Sequence, residues 1–372
     1  MTRCVAPTDT RGRSRSPRVR RAGPVALAVL AALWLGACDF PTAPPIFETR
    51  FIVPGESTTL SVDEVLPAGL TVVGNAFRLD YGSVAVPARS LGQMCGTGCL
   101  ALEGFQVPKP AFTDNFDVIV EMPDDVASGT VTSAGMTLTL THTLGFDPLQ
   151  PSGRTQDGLI AVTVRNGARV LGQDTIRGAF PNGSTVVRTI PLAAGDVAGD
   201  LTISLTIVSP AGGTAPQHWV TVRNAGAFSG TVEPANVAIS EARVVVLNRE
   251  VSTDLVTIDL TDIDESMSER VKSGAFVVTI DNPLGVVGTM QLVISGGTAG
   301  TITKPIQVGI GVSTRRVEFT GPELQSLLGN EVSLAITGRV TAPTGTALVR
   351  PGMRIFVTTN LDLIFEIGGS TN

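Results

Sequence analysis

The chain has 372 residues, with 27 basic and 33 acidic side chains and a formal charge of −6 at neutral pH. Seven arginines and one acid, Asp9, lie in the first 37 residues, so the remainder carries 20 basic against 32 acidic groups. An acidic body of this kind excludes a phosphate-reading nucleic-acid surface and a polybasic grip on anionic lipid.

Arg18, Arg20 and Arg21 are followed by Pro24 and an uncharged apolar run, Val25 to Ala37. A basic flank, a short apolar core and a small-residue exit make a secretory signal, and the run is shorter than the roughly 20 residues of a spanning helix. The exit, Leu35-Gly36-Ala37-Cys38, resembles the lipobox of bacterial lipoproteins. That resemblance implies cleavage between Ala37 and Cys38, a diacylglycerol on the Cys38 thiol, and an acylated (palmitate-type) new amino terminus. Two or more acyl chains anchor stably where one does not. An ordinary signal peptide and an uncleaved anchor helix are the alternatives. The Arg20-Arg21 pair also resembles a twin-arginine export signal, but Ala22-Gly23-Pro24 departs from the rest of that motif. Asp39 resembles an inner-membrane retention signal of enteric-type lipoproteins, which leaves the choice of membrane open.

Residues 38–46 then form a proline-rich tether, with Pro41, Pro44 and Pro45. In extended geometry it spans about 25 Å. The body beyond it is rich in Val, Thr, Ile and Leu, residues that suit a pleated, half-buried surface, and is punctuated by 41 glycines and 24 prolines over the whole chain. The expected fold is all-β, with tandem antiparallel β-sandwich domains of immunoglobulin or fibronectin type and short helical turns. Residues 47–114 read as a small β region, 115–235 as a first sandwich repeat and 236–372 as a second.

The repeat rests on four blocks in the same order. Ser133, Leu144 and Gly145 match Ser273, Leu284 and Gly285 at an offset of 140, and Gly158–Ile176 matches Gly288–Ile306 at 130. Pro210 matches Pro343 at 133, and His218–Val232 matches Met353–Ile367 at 135. Asn166-Gly167 signals a tight hairpin, and Gly296-Gly297 is expected to do the same job. Thr320 with Glu323 three residues later reads as a capped helical turn closed by Gly329. Asp262 to Glu265 reads as the start of a similar piece ending near Gly274. Asp281-Asn282-Pro283-Leu284 resembles the Asn-Pro turn of β-sandwich domains in desiccation-related proteins, over too few residues to imply a function.

Cys95 and Cys99 are the only cysteines after Cys38. In an exported chain an even pair implies a disulfide, with Gly96 and Gly98 giving the backbone freedom to close the ring. A redox pair, a metal site and free thiols are the alternatives. A metal site would need further ligands, and the chain has two histidines, His142 and His218. Each is a strand-borne candidate base without an accompanying Gly-x-Ser-x-Gly elbow. The acids Asp259, Asp262, Asp264 and Glu265 lack EF-hand spacing and suit a helix start instead. No P-loop or dinucleotide fingerprint occurs. Trp219 and Tyr81 are the only Trp and Tyr after Cys38, too few for a sugar-stacking platform.

The sequence therefore leads to a membrane-anchored envelope lipoprotein with a structural or protein-binding role and no catalytic activity, metal or cofactor. Its expected partners are the membrane, through covalent lipid, and an envelope protein, but not nucleic acid. Its expected place is the inner or outer membrane, with the body in the periplasm or at the cell surface. The alternative function is binding or transfer of a lipid or other apolar ligand, and a hydrolase with dispersed catalytic residues is a third reading.

Overall fold

Apolar and polar residues alternate along most of the chain, and a period of two puts one set inward and the other outward on a strand. In the computed structural model, residues 46–79, 82–263 and 265–367 are described. The leader, with Ala37 and Cys38, lies outside them, as do Tyr81 and Asp264. The chain opens with β1 (Phe47–Ser61), a 3-10 turn, β2 (Leu70–Val73), β3 (Ala76–Leu79) and β4 (Val84–Ser90). Two helical turns, α1 (Leu91–Cys95) and α2 (Thr97–Leu100), precede β5 (Gln106–Pro108), β6 (Phe112–Val120) and the long β7 (Val126–His142). Then come β8 (Leu159–Asn166), β9 (Arg169–Ile176), β10 (Thr185–Leu192), β11 (Gly195–Ala198) and β12 (Leu201–Ser209). β13 (Trp219–Thr221) leads into the 19-residue β14 (Ala227–Val245).

The second half repeats the plan. It contains β15 (Arg249–Ser252), β16 (Val256–Asp259), α3 (Glu265–Ser268), β17 (Val271–Asn282), β18 (Val287–Gly297) and β19 (Gly300–Val308). β20 (Gly311–Phe319), α4 (Gly321–Leu327), β21 (Glu331–Thr341), β22 (Thr346–Val349) and β23 (Arg354–Ile367) complete it.

The fold is all-β and built of antiparallel sandwiches. One layer of the first sandwich runs β4-β14-β7-β10 and the other runs β6-β12-β8-β9. The layers meet through rings such as Phe116 of β6 against Phe228 of β14, 6.5 Å apart and edge to face. The second sandwich has layers β1-β23-β17-β20 and, with β15 and β16 both on β21, β15/β16-β21-β18-β19. The two strand orders correspond one to one. Thr49–Phe365 forms one compact unit, and the described residues 46–48 and 366–367 fall outside it. Within the large unit β14 ties the halves together. Its first part pairs with β4 and β7, while Ala242 to Val245 pair with β22.

The pairing differs from the sequence expectation in three places. Residues 47–114 do not form a region of their own: β2 pairs with β3, but β3 joins β14, β1 joins the second sandwich, and β4 and β6 join the first. Position 235, expected as a boundary, falls inside β14, beside a bulge between Ala235 and Ala238. Third, Thr141 pairs with Ser229 while its counterpart Asp281 pairs with Phe356, which aligns Ser229 with Phe356 rather than with Ile364. The slip is eight residues, an even number, so inward and outward positions are preserved and the pattern alone does not detect it.

Local signals fared as follows. Asn166 pairs with Arg169, leaving Gly167 and Ala168 as the two-residue turn, and Gly167 has φ of 56° as such turns require. In the second copy Gly297 pairs with Gly300, so Thr298 and Ala299 make the turn and Gly296, at φ 105°, sits at the bulge before it. Thr320 and Glu323 form a reciprocal capping box on α4. α3 stops at Ser268 because Val271 already enters β17.

Candidate functional site at the loop end of the first sandwich

After β17 the chain turns into β18 within residues 283–286, whereas after β7 it takes residues 143–158 to reach β8. The longer loop brings Asp147, Ser152, Arg154 and Asp157 to one end of the first sandwich. Both histidines and the buried Lys109 belong to the same region.

His142 ends β7 and is 1% exposed. Its Nε2–H donates to the Phe180 carbonyl at 2.8 Å, and its Nδ1 accepts from the Leu144 amide at 3.4 Å. The Phe180 ring stands edge to face at 4.4 Å. Burial lowers the pKa, against an opposing pull from the Phe180 hydrogen bond and the charge of Asp147. The ring is therefore neutral, with both nitrogens occupied. Asn282 stands at the matching end of β17, 0% exposed, and its Nδ2 donates to the carbonyls of Val286 at 2.6 Å and Gly309 at 2.8 Å. The two residues do one job: each closes its sandwich end by binding the connection that crosses it. Leu144 and Leu284 are likewise both buried, and Gly145 and Gly285 both have positive φ.

Asp147 organises the loop itself. One oxygen accepts from the amides of Leu149 and Gln150 at 2.8 and 2.7 Å, and the other from the Phe180 amide at 2.8 Å. Lys109 lies beneath, 1% exposed. Its ammonium donates to Ser209 Oγ and to the Pro210 carbonyl at 2.5 Å, between the rings of Phe112 and Phe146 at 5.0 and 5.5 Å. Ser209 Oγ in turn donates to the Pro148 carbonyl at 2.5 Å. Burial pushes the Lys109 pKa down to about 7, with Asp147 opposing. The ammonium is sealed from substrate and joins β12, the long loop and the segment before β6.

The outer surface of this region holds Ser152 and His218, with Ser152 Oγ 2.6 Å from His218 Nδ1. The imidazole packs so closely on Gly153 and Gly213 that a Cβ at either position would come within 2.6 and 2.8 Å of its Cδ2. Among the described residues, no carboxylate is hydrogen-bonded to the other ring nitrogen of His218, the contact that would orient it as a base. Ser152 was not singled out in the sequence, because no elbow motif surrounds it and its partner lies 66 residues away. Trp219 is 43% exposed and donates its indole N–H to Thr214.

Of the other expected sites, Cys95 and Cys99 stand at disulfide distance, with Cα atoms 5.5 Å apart. They sit on α1 and α2, the two helical turns that connect β4 to β5. Ser90 and Gln93 form a capping box on α1, a pattern the sequence also carries. Asp259 accepts from the Thr261 amide and hydroxyl at 3.0 and 2.6 Å, closing a turn after β16. Among the described residues no group of three His, Cys, Asp or Glu side chains is placed to hold a metal. An apolar cavity lined by Val131, Leu171, Leu192, Val197 and Val237 measures about 20 Å³, room for one water-sized molecule and not for an acyl chain.

His142→Ala is expected to cost about 2–3 kcal/mol in urea unfolding, since it leaves the Phe180 carbonyl unpaired in the interior. His218→Ala, at a half-exposed position, is expected to cost under about 1 kcal/mol. Equal costs would contradict the division of labour described above.

No protein-family model matches the chain, and no curated protein matches it. Among solved structures, a protein of Parabacteroides distasonis described as secreted aligns over 86% of this chain and 100% of its own, at 12% identity and a TM-score of 0.32. The tandem N-terminal CBM22 modules of Xyn10C from Paenibacillus barcinonensis align over 84% of this chain and 98% of their own, at 12% identity and a TM-score of 0.18. At these scores the fold assignment rests on the strand pairing of the chain itself. No helix among the described residues is long and apolar enough to cross a membrane.

Proposed function

We propose that the chain is a lipid-anchored envelope protein whose paired sandwiches serve a structural or protein-binding role rather than catalysis. The anchoring part rests on Leu35-Gly36-Ala37-Cys38 behind a basic and apolar leader. The binding part is carried by one observation: the polar groups gathered at the loop end of the first sandwich are occupied in closing that end, and His142 has Asn282 as its counterpart. Cys38→Ser is expected to leave an unprocessed or soluble product, visible as loss of the acyl mass and of membrane fractionation. Unchanged mass and fractionation would remove the anchor. Crosslinking in native membranes followed by affinity capture should recover one specific partner, and repeated recovery of none would count against a binding role.

The Ser152–His218 contact favours a second reading, hydrolysis at an exposed serine. A fluorophosphonate probe tests it: labelling of the wild-type protein that is lost in Ser152→Ala would replace the first reading.

A further inference from the structure

The leading end of β1 carries large apolar side chains that the fold leaves in solvent. Ile52 is 60% exposed, and Phe51 is 44% exposed even though its ring meets Phe365 edge to face at 5.3 Å. Earlier on the same strand Phe47 is 61% exposed. β1 is the outermost strand of its sheet, so among the described residues no further strand flanks this segment there. Alternation places Arg50 and Ile52 on one face. Arg50 is held on Asp362 by two hydrogen bonds of 2.6 and 2.9 Å, which leaves Ile52 standing beside a tethered guanidinium rather than under a mobile one. The far half of β1 is built differently, with Pro54, Glu56 and Ser57, the residues that ordinarily keep an edge strand soluble.

The occupant follows from chain length. Twelve residues lie between Cys38 and Phe51. Even fully extended they reach about 45 Å, so an anchor at Cys38 holds this end of the strand within reach of the bilayer surface. At so high an effective concentration, a patch too weak to bind membranes alone still engages them. The acidic body offers no electrostatic attraction to anionic headgroups, so contact must come from apolar side chains entering the interface. We propose that Ile52, on the outward face of β1 beside the tethered Arg50, inserts into the interfacial zone of the same membrane that receives the Cys38 acyl chains, seating the second sandwich on the bilayer. The proposal rests on the lipoprotein reading.

The test uses the full, processed chain reconstituted into phosphatidylethanolamine–phosphatidylglycerol vesicles. An environment-sensitive fluorophore is attached at Ile52→Cys or, as control, at Leu255→Cys. Leu255 is 71% exposed and lies between β15 and β16 in the other layer of the sandwich. The expected result is a several-fold rise in emission at position 52 on vesicle binding, with quenching by spin-labelled lipid, and neither at position 255. A probe at position 52 that behaves like the one at 255, on protein that remains vesicle-bound and carries the acyl mass, overturns insertion while leaving the anchor intact. Protein without acyl mass on Cys38 overturns the anchor, and the insertion proposal with it.

Discussion

Between pH 7 and pH 10 the wild-type protein will gain stability as pH rises, and Lys109→Met will lack that gain. The reason is the sealed ammonium beneath the long loop. Burial lowers its pKa to about 7 in the fold, whereas an unfolded lysine holds its proton to about 10.4. Below pH 7 both states are protonated and the residue adds no slope. Above it the folded protein has released a proton that the unfolded chain still binds, and stability rises until the unfolded lysine also titrates. The gain across that window is on the order of 3 kcal/mol. Urea midpoints at pH 6, 7, 8, 9 and 10 measure it, and parallel curves for the two proteins would refute a neutral Lys109. His142 acts in a lower window with a related sign. Its folded pKa lies below the ordinary histidine value, so stability is lost as pH falls from about 6.5.

Asp362→Asn is expected to cost about 1–2 kcal/mol at pH 7 and close to nothing at pH 2. Asp362 is 2% exposed on β23, between Arg50 of β1 and Arg316 of β20. The Arg50 side chain is 61% exposed, and water screening keeps the pair from reaching the energy of a buried one. Hydrogen bonds from Arg50 and then Arg316 hold the carboxyl at about 2, below its unfolded value near 3.9. Its contribution is therefore complete above about pH 4 and is lost as pH falls toward 2. Thermal unfolding of both proteins at pH 7 and at pH 2 checks this, and a difference that persists undiminished at pH 2 would contradict it. Because the pair pins β1, Asp362→Asn should also expose that strand to limited proteolysis before the rest of the sandwich.

The class of fold was legible because its cause is local. Stretches such as Leu201 to Ile207 alternate buried and half-buried residues, and the same alternation is visible as letters. The tight turn at Gly167 and the cap at Thr320 are equally local, since each depends on two or three neighbouring residues. What was not legible depends on partners far away in the chain. Nothing in FETRFIVP says that it will lie beside residues near Asp362 rather than beside β2, because an edge strand carries no register mark of its own. The loop-end cluster was half visible. His142 and His218 stand out singly in the sequence, but Lys109, Asp147 and Ser152 gain meaning only once residues 143–158 fold over β12 and the Pro210 segment.

The placement of β1 also sets a clock. A chain made from its amino end presents β1 before the other strands described, yet the neighbour that binds it, β23, follows roughly 290 residues later. The first sandwich has every one of its strands by Val245 and is free to fold meanwhile. β1 must wait, and its eventual capture closes the longest loop in the molecule, which makes that step slow and late. A strand kept waiting with open hydrogen bonds is a hazard for pairing with neighbouring chains. Pro54 and the alternating charges Glu48, Arg50 and Glu56 suit a segment that must stay single until the far end of its own chain arrives.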